Sequence, residues 1–160
     1  MMLKAFELEL QSHDPKPLHI EVKNHLFGFA EKKLFLVAPE RVRELGEEDF
    51  IDFDSTIAPL IGVSINDLVH GDYGVKTLEY SLTPGSTYLQ VVQVRDKLSG
   101  TASVLFKVFQ ATDGGLDEKY SENQYVKKPV RERLRLIAEV LGIDISTLEE
   151  ETAKLGIKLD

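Results

Sequence analysis

The most compact group of residues able to perform acid–base chemistry lies between positions 70 and 74, where the sequence reads His-Gly-Asp-Tyr-Gly. His70 and Asp72 could act as a general acid–base pair near neutral pH. Tyr73 would add a phenolic hydroxyl to the same group. Two glycines in so short a segment are also typical of a helix end followed by a turn. The segment is therefore a candidate catalytic site of a small enzyme, with an ordinary turn as the alternative.

Asp49, Asp52 and Asp54 are candidate metal ligands, because hard divalent cations bind carboxylate oxygens. On a strand, Asp52 and Asp54 would point to the same side. The segment lacks the glycine-bearing pattern of a calcium-binding loop, and an acidic surface link is the alternative interpretation. No phosphate loop, nucleophile elbow, dinucleotide fingerprint or zinc-protease motif occurs in the sequence, so we predict no cofactor.

A basic run precedes and enters the C-terminal region. Four of its cations form a candidate site for a partner or an anion: Lys127, Lys128, Arg131 and Arg135. The last two lie one turn apart if a helix begins near Pro129. Such a surface could bind a phosphate, an acidic partner, or the acidic segment 47–54 of a neighbouring molecule. The alternative is a solvated helix face.

Composition limits the classes of partner. The 160 residues carry a formal net charge of −8, which disfavours bulk binding to nucleic acid or to an anionic membrane. Cysteine is absent, which excludes disulfides, a thiolate nucleophile and cysteine-ligated metal. No apolar run approaches the ~20 residues of a membrane span, and the start of the chain lacks an apolar signal core. We expect a cytoplasmic protein with a protein partner or self-association and no membrane contact.

One pattern of residues occurs twice. Segments 57–68 and 137–148 share Ile, Ala, Gly, Ile and Leu at matching positions. Each predicts a helix that stops at a glycine, Gly62 or Gly142, because glycine readily adopts the left-handed conformation at a helix end. In the second copy, Ser146 and Glu149 would form a capping box for a further helix that ends near Gly156.

The second copy also resembles a helix-turn-helix. Ala138, Gly142 and Leu148 stand where that motif places its small, turn and apolar residues, which implies a DNA-binding regulator. Glu151, however, takes a position that the motif packs into its core. The consecutive glutamates 149–151 would also repel phosphates. Nucleic acid is therefore not the partner that we expect.

Alternating apolar and polar residues predict six to seven strands. The fold class is α+β, mainly an antiparallel sheet with short helical insertions and a C-terminal helical hairpin. We expect a single domain over 1–160, with a strand-rich body over 1–111, a loop over 112–126 and the hairpin over 127–160. Leu34–Val37, apolar on both faces, is expected near the sheet centre, and Pro39–Leu45 is expected to form a short helix.

The function predicted from these features is a non-enzymatic protein-interaction or assembly module, because acidic and basic segments are separate and no catalytic motif is complete. Three alternatives remain open. The sheet could enclose an apolar pocket lined by the 88–109 hairpin, His70 and Asp72 could serve a small enzyme, or the C-terminal corner could bind DNA.

Overall fold

An antiparallel sheet forms the body of the protein. The computed structural model describes residues 1–13, 17–68 and 72–159. Within these ranges the sheet has eight strands, all in antiparallel pairs: β1 Met2–Ser12, β2 Leu18–Ala30, β3 Lys33–Val37, β4 Arg41–Glu44, β5 Asp72–Ser81, β6 Thr87–Asp96, β7 Ala102–Thr112 and β8 Gly115–Ser121. Short helices follow β4: a 3-10 turn at Glu47–Asp49, then α1 Phe50–Thr56, α2 Ala58–Ile61 and α3 Ile65–Leu68. The chain ends with α4 Val130–Leu141 and α5 Ile145–Lys154.

The sheet folds back on itself around β1. Its strand order is β4-β5-β1-β2-β6-β7-β8, and β3 pairs with β2 outside this path. β1 pairs with β2 only between Leu8↔Val22 and Ser12↔Leu18, after which β2 takes β3 as its neighbour through Leu26–Ala30. Only residues 38–40 connect β3 with β4, and β4 pairs with β5. The short connection therefore brings β5 back over the second half of β2.

Three apolar clusters follow from this curvature. The first lies between the short helices and β1–β2 and includes Phe6 and Phe53, whose rings meet edge to face at 5.5 Å. The second lies between α4–α5 and β6–β7 and includes Phe106 and Ile137. The third lies between β1–β5 and β2–β6–β7, where Ala5, Leu26, Leu78, Tyr88 and Phe109 are buried together. Two of the clusters thus lie between the sheet and helices, and the third lies between two parts of the sheet itself.

Both glycine corners are confirmed. Gly62 and Gly142 end α2 and α4 with φ of 71° and 69°. The predicted N-cap of α5 was wrong, because Asp144 rather than Ser146 caps this helix. The Asp144 carboxylate accepts a hydrogen bond from the Ser146 N–H at 3.2 Å. Aspartate and serine are comparably good caps. The earlier start of the helix leaves Glu149 beyond the first turn.

The α+β outline is confirmed in coarse form, but the described sheet has eight strands rather than the expected six to seven, and three further local predictions were wrong. Residues 41–44, expected to be helical, form β4, because pairing with β5 outweighs the weak helical signal of so short a segment. The loop expected over 112–126 contains β8, which follows β7 through an Asp-Gly turn. That dipeptide is a strong hairpin signal. Leu34–Val37 lies in β3, which pairs only with β2 among the described strands, and so does not lie at the sheet centre.

Candidate interaction surfaces

The catalytic prediction falls largely outside the described structure. His70 lies outside the described residues. Asp72 and Tyr73 are described only as backbone at the start of β5, where they pair with Gln11 and Leu10 of β1. The His/Asp pair therefore stays a prediction.

Asp49 is buried in an ionic network that connects α1 to the sheet. Its carboxylate accepts hydrogen bonds from Arg43 at 2.5 and 2.8 Å, from the Gly46 N–H at 2.9 Å and from the Thr77 hydroxyl at 3.2 Å, and it pairs with Lys4 at 2.7 Å. The Arg43 guanidinium, more than any other neighbour, holds the pKa of Asp49 well below its ordinary value. Asp49 is therefore ionised at neutral pH, and its oxygens are already bound by protein donors.

The other two acidic candidates bind different groups. Asp52 shares the Lys4 ammonium at 3.4 Å, whereas Asp54 accepts the Ile65 N–H at 2.9 Å and so connects α1 with α3. In the described part of the chain, no group of three or more histidines and carboxylates could hold a metal ion. These aspartates are bound to protein cations and backbone N–H groups.

The four predicted cations are all exposed. We call Tyr125, Lys127, Lys128, Arg131 and Arg135 the basic surface. All five are exposed, Tyr125 by 75%. Within the described ranges, none of the four cationic side chains forms an ion pair or a hydrogen bond. Leu136 and Val140, one turn apart on α4, are partly exposed apolar side chains on the same helix.

Arg133, the remaining cation of the run, points the other way. Its guanidinium donates to both oxygens of Glu122 at 3.0 and 3.1 Å and to the Val104 carbonyl at 2.6 Å. It also lies 5.3 Å from the centroid of the Phe106 ring. The side chains of Arg133 and Glu122 are only 7% and 2% exposed. This pair holds α4 against β7 and the segment after β8.

Sequence reasoning missed the role of Arg133, although the helical spacing contains a signal. Arg133 stands one turn before the buried Ile137, on the apolar side of α4, whereas Arg131 and Arg135 stand on its outer side.

Glu122 is further fixed by the Phe106 N–H at 3.0 Å and by the Tyr120 hydroxyl. Burial, and then the nearby Glu122, raises the pKa of Tyr120, so this hydroxyl stays protonated as a donor.

Two clefts border the sheet. One of about 290 Å³ lies between α1–α2 and the β6–β7 hairpin, and its lining includes Ile57, Leu60, Val92, Phe106, Asn24 and Gln90. The amide of Gln90 donates to the Asn24 carbonyl at 2.8 Å, so part of the lining is polar. A second cleft of about 720 Å³ has an acidic border that includes Glu7, Glu9 and Glu21.

A further exposed feature is the strand β3. Its central side chains Phe35 and Leu36 are 51% and 62% exposed. The Phe35 ring lies over Gly28 of the paired strand, where a Cβ atom would come within 2.3 Å of the ring. Packing against Gly28 therefore holds Phe35 in a defined position while leaving about half of it open.

Comparison with known proteins does not assign the chain to a family. No protein-family model matches the sequence, and the curated proteins and the solved structures likewise contain no match. Among the helices of the described residues, none is both long and apolar enough to cross a membrane. The function must therefore be argued from the surfaces themselves.

Proposed function

We propose that the protein is a non-enzymatic interaction module whose basic surface binds an acidic segment of a protein partner. The observation that supports this proposal is a series of four exposed cations whose side chains form no ion pair among the described residues, on a chain of net charge −8. Three exposed cations of the described residues do have carboxylate partners, namely Lys97, Lys119 and Lys154. A group without such partners leaves its positive potential free to attract an anion.

Charge alone would favour any anion, but the neighbouring side chains favour a peptide. Tyr125, two residues before the first lysine, is largely exposed. Tyrosine and arginine are enriched in the binding hot spots of protein interfaces. An acidic segment that also carries apolar side chains could contact Tyr125 as well as the cations, whereas an inorganic anion would use only the cations.

The helix that presents Arg131 and Arg135 is firmly attached to the sheet. Leu134 and Ile137 are fully buried on its inner side, and the Arg133–Glu122 pair ties its first turn to the sheet. Arg131 and Arg135 therefore project from a fixed backbone. Binding would require ordering of their side chains but not of the helix, which lowers the entropic cost of association.

A labelled acidic peptide tests the proposal. We expect a synthetic peptide of alternating glutamate and leucine to bind in fluorescence anisotropy, with affinity that falls as salt is raised. The double variant R131E/R135E should weaken binding at least about tenfold, because two attractions become repulsions. The control R95E reverses one exposed cation on β6, and it is matched to each of the single variants R131E and R135E.

Two results would contradict the proposal: no binding at low salt by the unmodified protein, or an equal loss in the R95E control. Competition with inorganic phosphate separates a peptide site from a general anion site. If millimolar phosphate displaces the peptide completely, the apolar part of the surface contributes nothing, and the assignment to a peptide fails.

The cleft of about 290 Å³ favours a second candidate function, the binding of a small ligand. Val92, Leu105 and Phe106 of the β6–β7 hairpin line it, and its volume is close to the ~300 Å³ at which ligand pockets begin. Replacing Leu105 by tryptophan would occupy part of this space and narrow the cleft. If an environment-sensitive apolar dye binds the unmodified protein and the L105W variant equally, this second function is excluded.

A further inference from the structure

We propose that the cleft of about 290 Å³ binds a small apolar carboxylate, such as a medium-chain fatty acid, whose carboxylate group pairs with Lys107. The inference rests on the second candidate function, ligand binding in this cleft, and does not involve the basic surface. The volume of the cleft is near the lower limit of ligand pockets, so the ligand must be small. Its chemical class follows from the side chains that line the cleft.

Four side chains of the β6–β7 hairpin line the cleft in two adjacent rows. Val92 pairs directly with Leu105, and Gln90 pairs directly with Lys107. Residues that are paired across strands, or that stand two apart along one strand, project from the same face of a sheet. One apolar row therefore lies beside one polar row, and an amphipathic ligand would match both.

The short helices extend the apolar part of the cleft. Ile57 and Leu60 line it opposite the hairpin. Ile57 is a buried member of the first apolar cluster, and Leu60 and Val92 pack against that cluster while staying partly exposed. Apolar surface is therefore left open in the cleft, and a bound hydrocarbon chain would remove it from water.

The amide of Gln90 is held in place and keeps one free donor. It donates to Asn24 at 2.8 Å, and Asn24, which is 4% exposed, donates in turn to the Tyr80 hydroxyl at 3.3 Å. A carboxamide carries two N–H groups. The second N–H of Gln90 has no acceptor among the described residues, so it is a positioned donor for an acceptor atom of the ligand.

Lys107 supplies the positive charge that selects an anion. The other charged side chains of the lining, Lys4 and Glu122, are bound to buried counterions. Lys107 instead pairs at 3.1 Å with Glu118, and the two side chains are 37% and 53% exposed. Exposed pairs of this kind are weak. Because an ammonium group carries three donors, Lys107 can bind a ligand carboxylate beside Glu118 or in its place.

Isothermal titration calorimetry at neutral pH with octanoate, octanol and octylamine tests the inference, because the three ligands share one hydrocarbon chain and differ in the head group. We expect octanoate to bind with a Kd between about 10 µM and about 1 mM. Octanol should bind at least about fivefold more weakly, and octylamine more weakly still, because its cation meets Lys107. L105W narrows the cleft and should weaken octanoate at least about fivefold, whereas R131E/R135E should change its affinity by less than about twofold.

Removing the charge of Lys107 tests its role. K107M keeps the aliphatic part of the side chain, and should weaken octanoate about five- to tenfold while changing octanol by less than about twofold. The matched control K119M breaks the Lys119–Asp117 pair, which has similar exposures of 43% and 54%, outside the lining of the cleft. It should bind octanoate as the unmodified protein does. Circular dichroism checks that all variants are folded.

Equal binding of octanoate and octanol, equal losses in K107M and K119M, or an octanoate affinity that depends on R131E/R135E and not on L105W would each overturn the inference. If all three ligands bind equally and L105W weakens them all, the cleft still binds apolar molecules and only the preference for a carboxylate is refuted. If none of the three binds, the second candidate function fails together with the inference.

Discussion

Replacing Arg133 by methionine should strongly destabilise the protein. Methionine keeps much of the side-chain volume but removes the charge. The variant loses two hydrogen bonds to Glu122, one to the Val104 carbonyl and the contact with the Phe106 ring. The larger effect falls on Glu122, whose side chain is only 2% exposed and would be left as a buried anion without its cation.

The magnitude follows from burial. Both partners are almost completely removed from solvent, so screening by water reduces the interaction little. Removing one member of such a pair costs about 3–5 kcal/mol in the free energy of unfolding. The Phe106 N–H and the Tyr120 hydroxyl still bind Glu122, which favours the lower part of this range.

Urea unfolding followed by circular dichroism measures this loss. The control R135M removes an exposed cation that forms no ion pair among the described residues, and should change stability by at most about 0.5 kcal/mol. The double variant R133M/E122Q removes both charges and should recover more than half of the loss. If R133M costs no more than R135M, Arg133 does not anchor α4, and the reasoning about the rigid basic surface fails with it.

Three further predictions concern stability, each measured by urea or thermal unfolding. D49N should cost about 3 kcal/mol at pH 7. Because the pKa of Asp49 is lowered in the folded protein, its carboxylate contributes fully to the free energy of unfolding above the unfolded value near 3.8, and this contribution is lost as the pH falls below that value. The free energy of unfolding of D49N should therefore fall less steeply in acid than that of the exposed control D52N. G28A should cost about 1 kcal/mol by displacing the Phe35 ring, and the cost should shrink in a G28A/F35A background; an unchanged cost there would rule out the ring contact. G142A should also cost about 1 kcal/mol, because φ is 69° and open space surrounds the glycine; a neutral effect would show that the backbone relaxes.

Two strands, β4 and β8, were not predicted from the sequence, because the local signal of each is weak. The segment 41–44 is too short to carry a periodic signal, and only its pairing with β5 makes it a strand. β8 alternates poorly, with most of its side chains exposed, because it lies at the edge of the sheet. Its Asp-Gly turn was the one local clue.

The candidate surfaces likewise include features that the local sequence predicts and features that depend on tertiary contacts. The cations of the basic surface could be predicted because they are close in sequence, and the structure leaves four cations of the run exposed. The different position of Arg133 depended on Glu122, and the burial of Asp49 depended on Lys4, Arg43 and Thr77. Lys4 and Thr77 are distant from Asp49 along the chain, so their contacts with it leave no mark in local spacing.

By itself, the sequence determined the properties that act over a few residues: the alternation of the long strands, the left-handed glycines that end α2 and α4, the net charge and the outward cations of α4. Only the tertiary structure decided which edge stays open, which charges are buried and where β3 lies. The physical reason is that strand pairing and charge burial join residues from different parts of the chain, and their free energies depend on the neighbours that folding brings together.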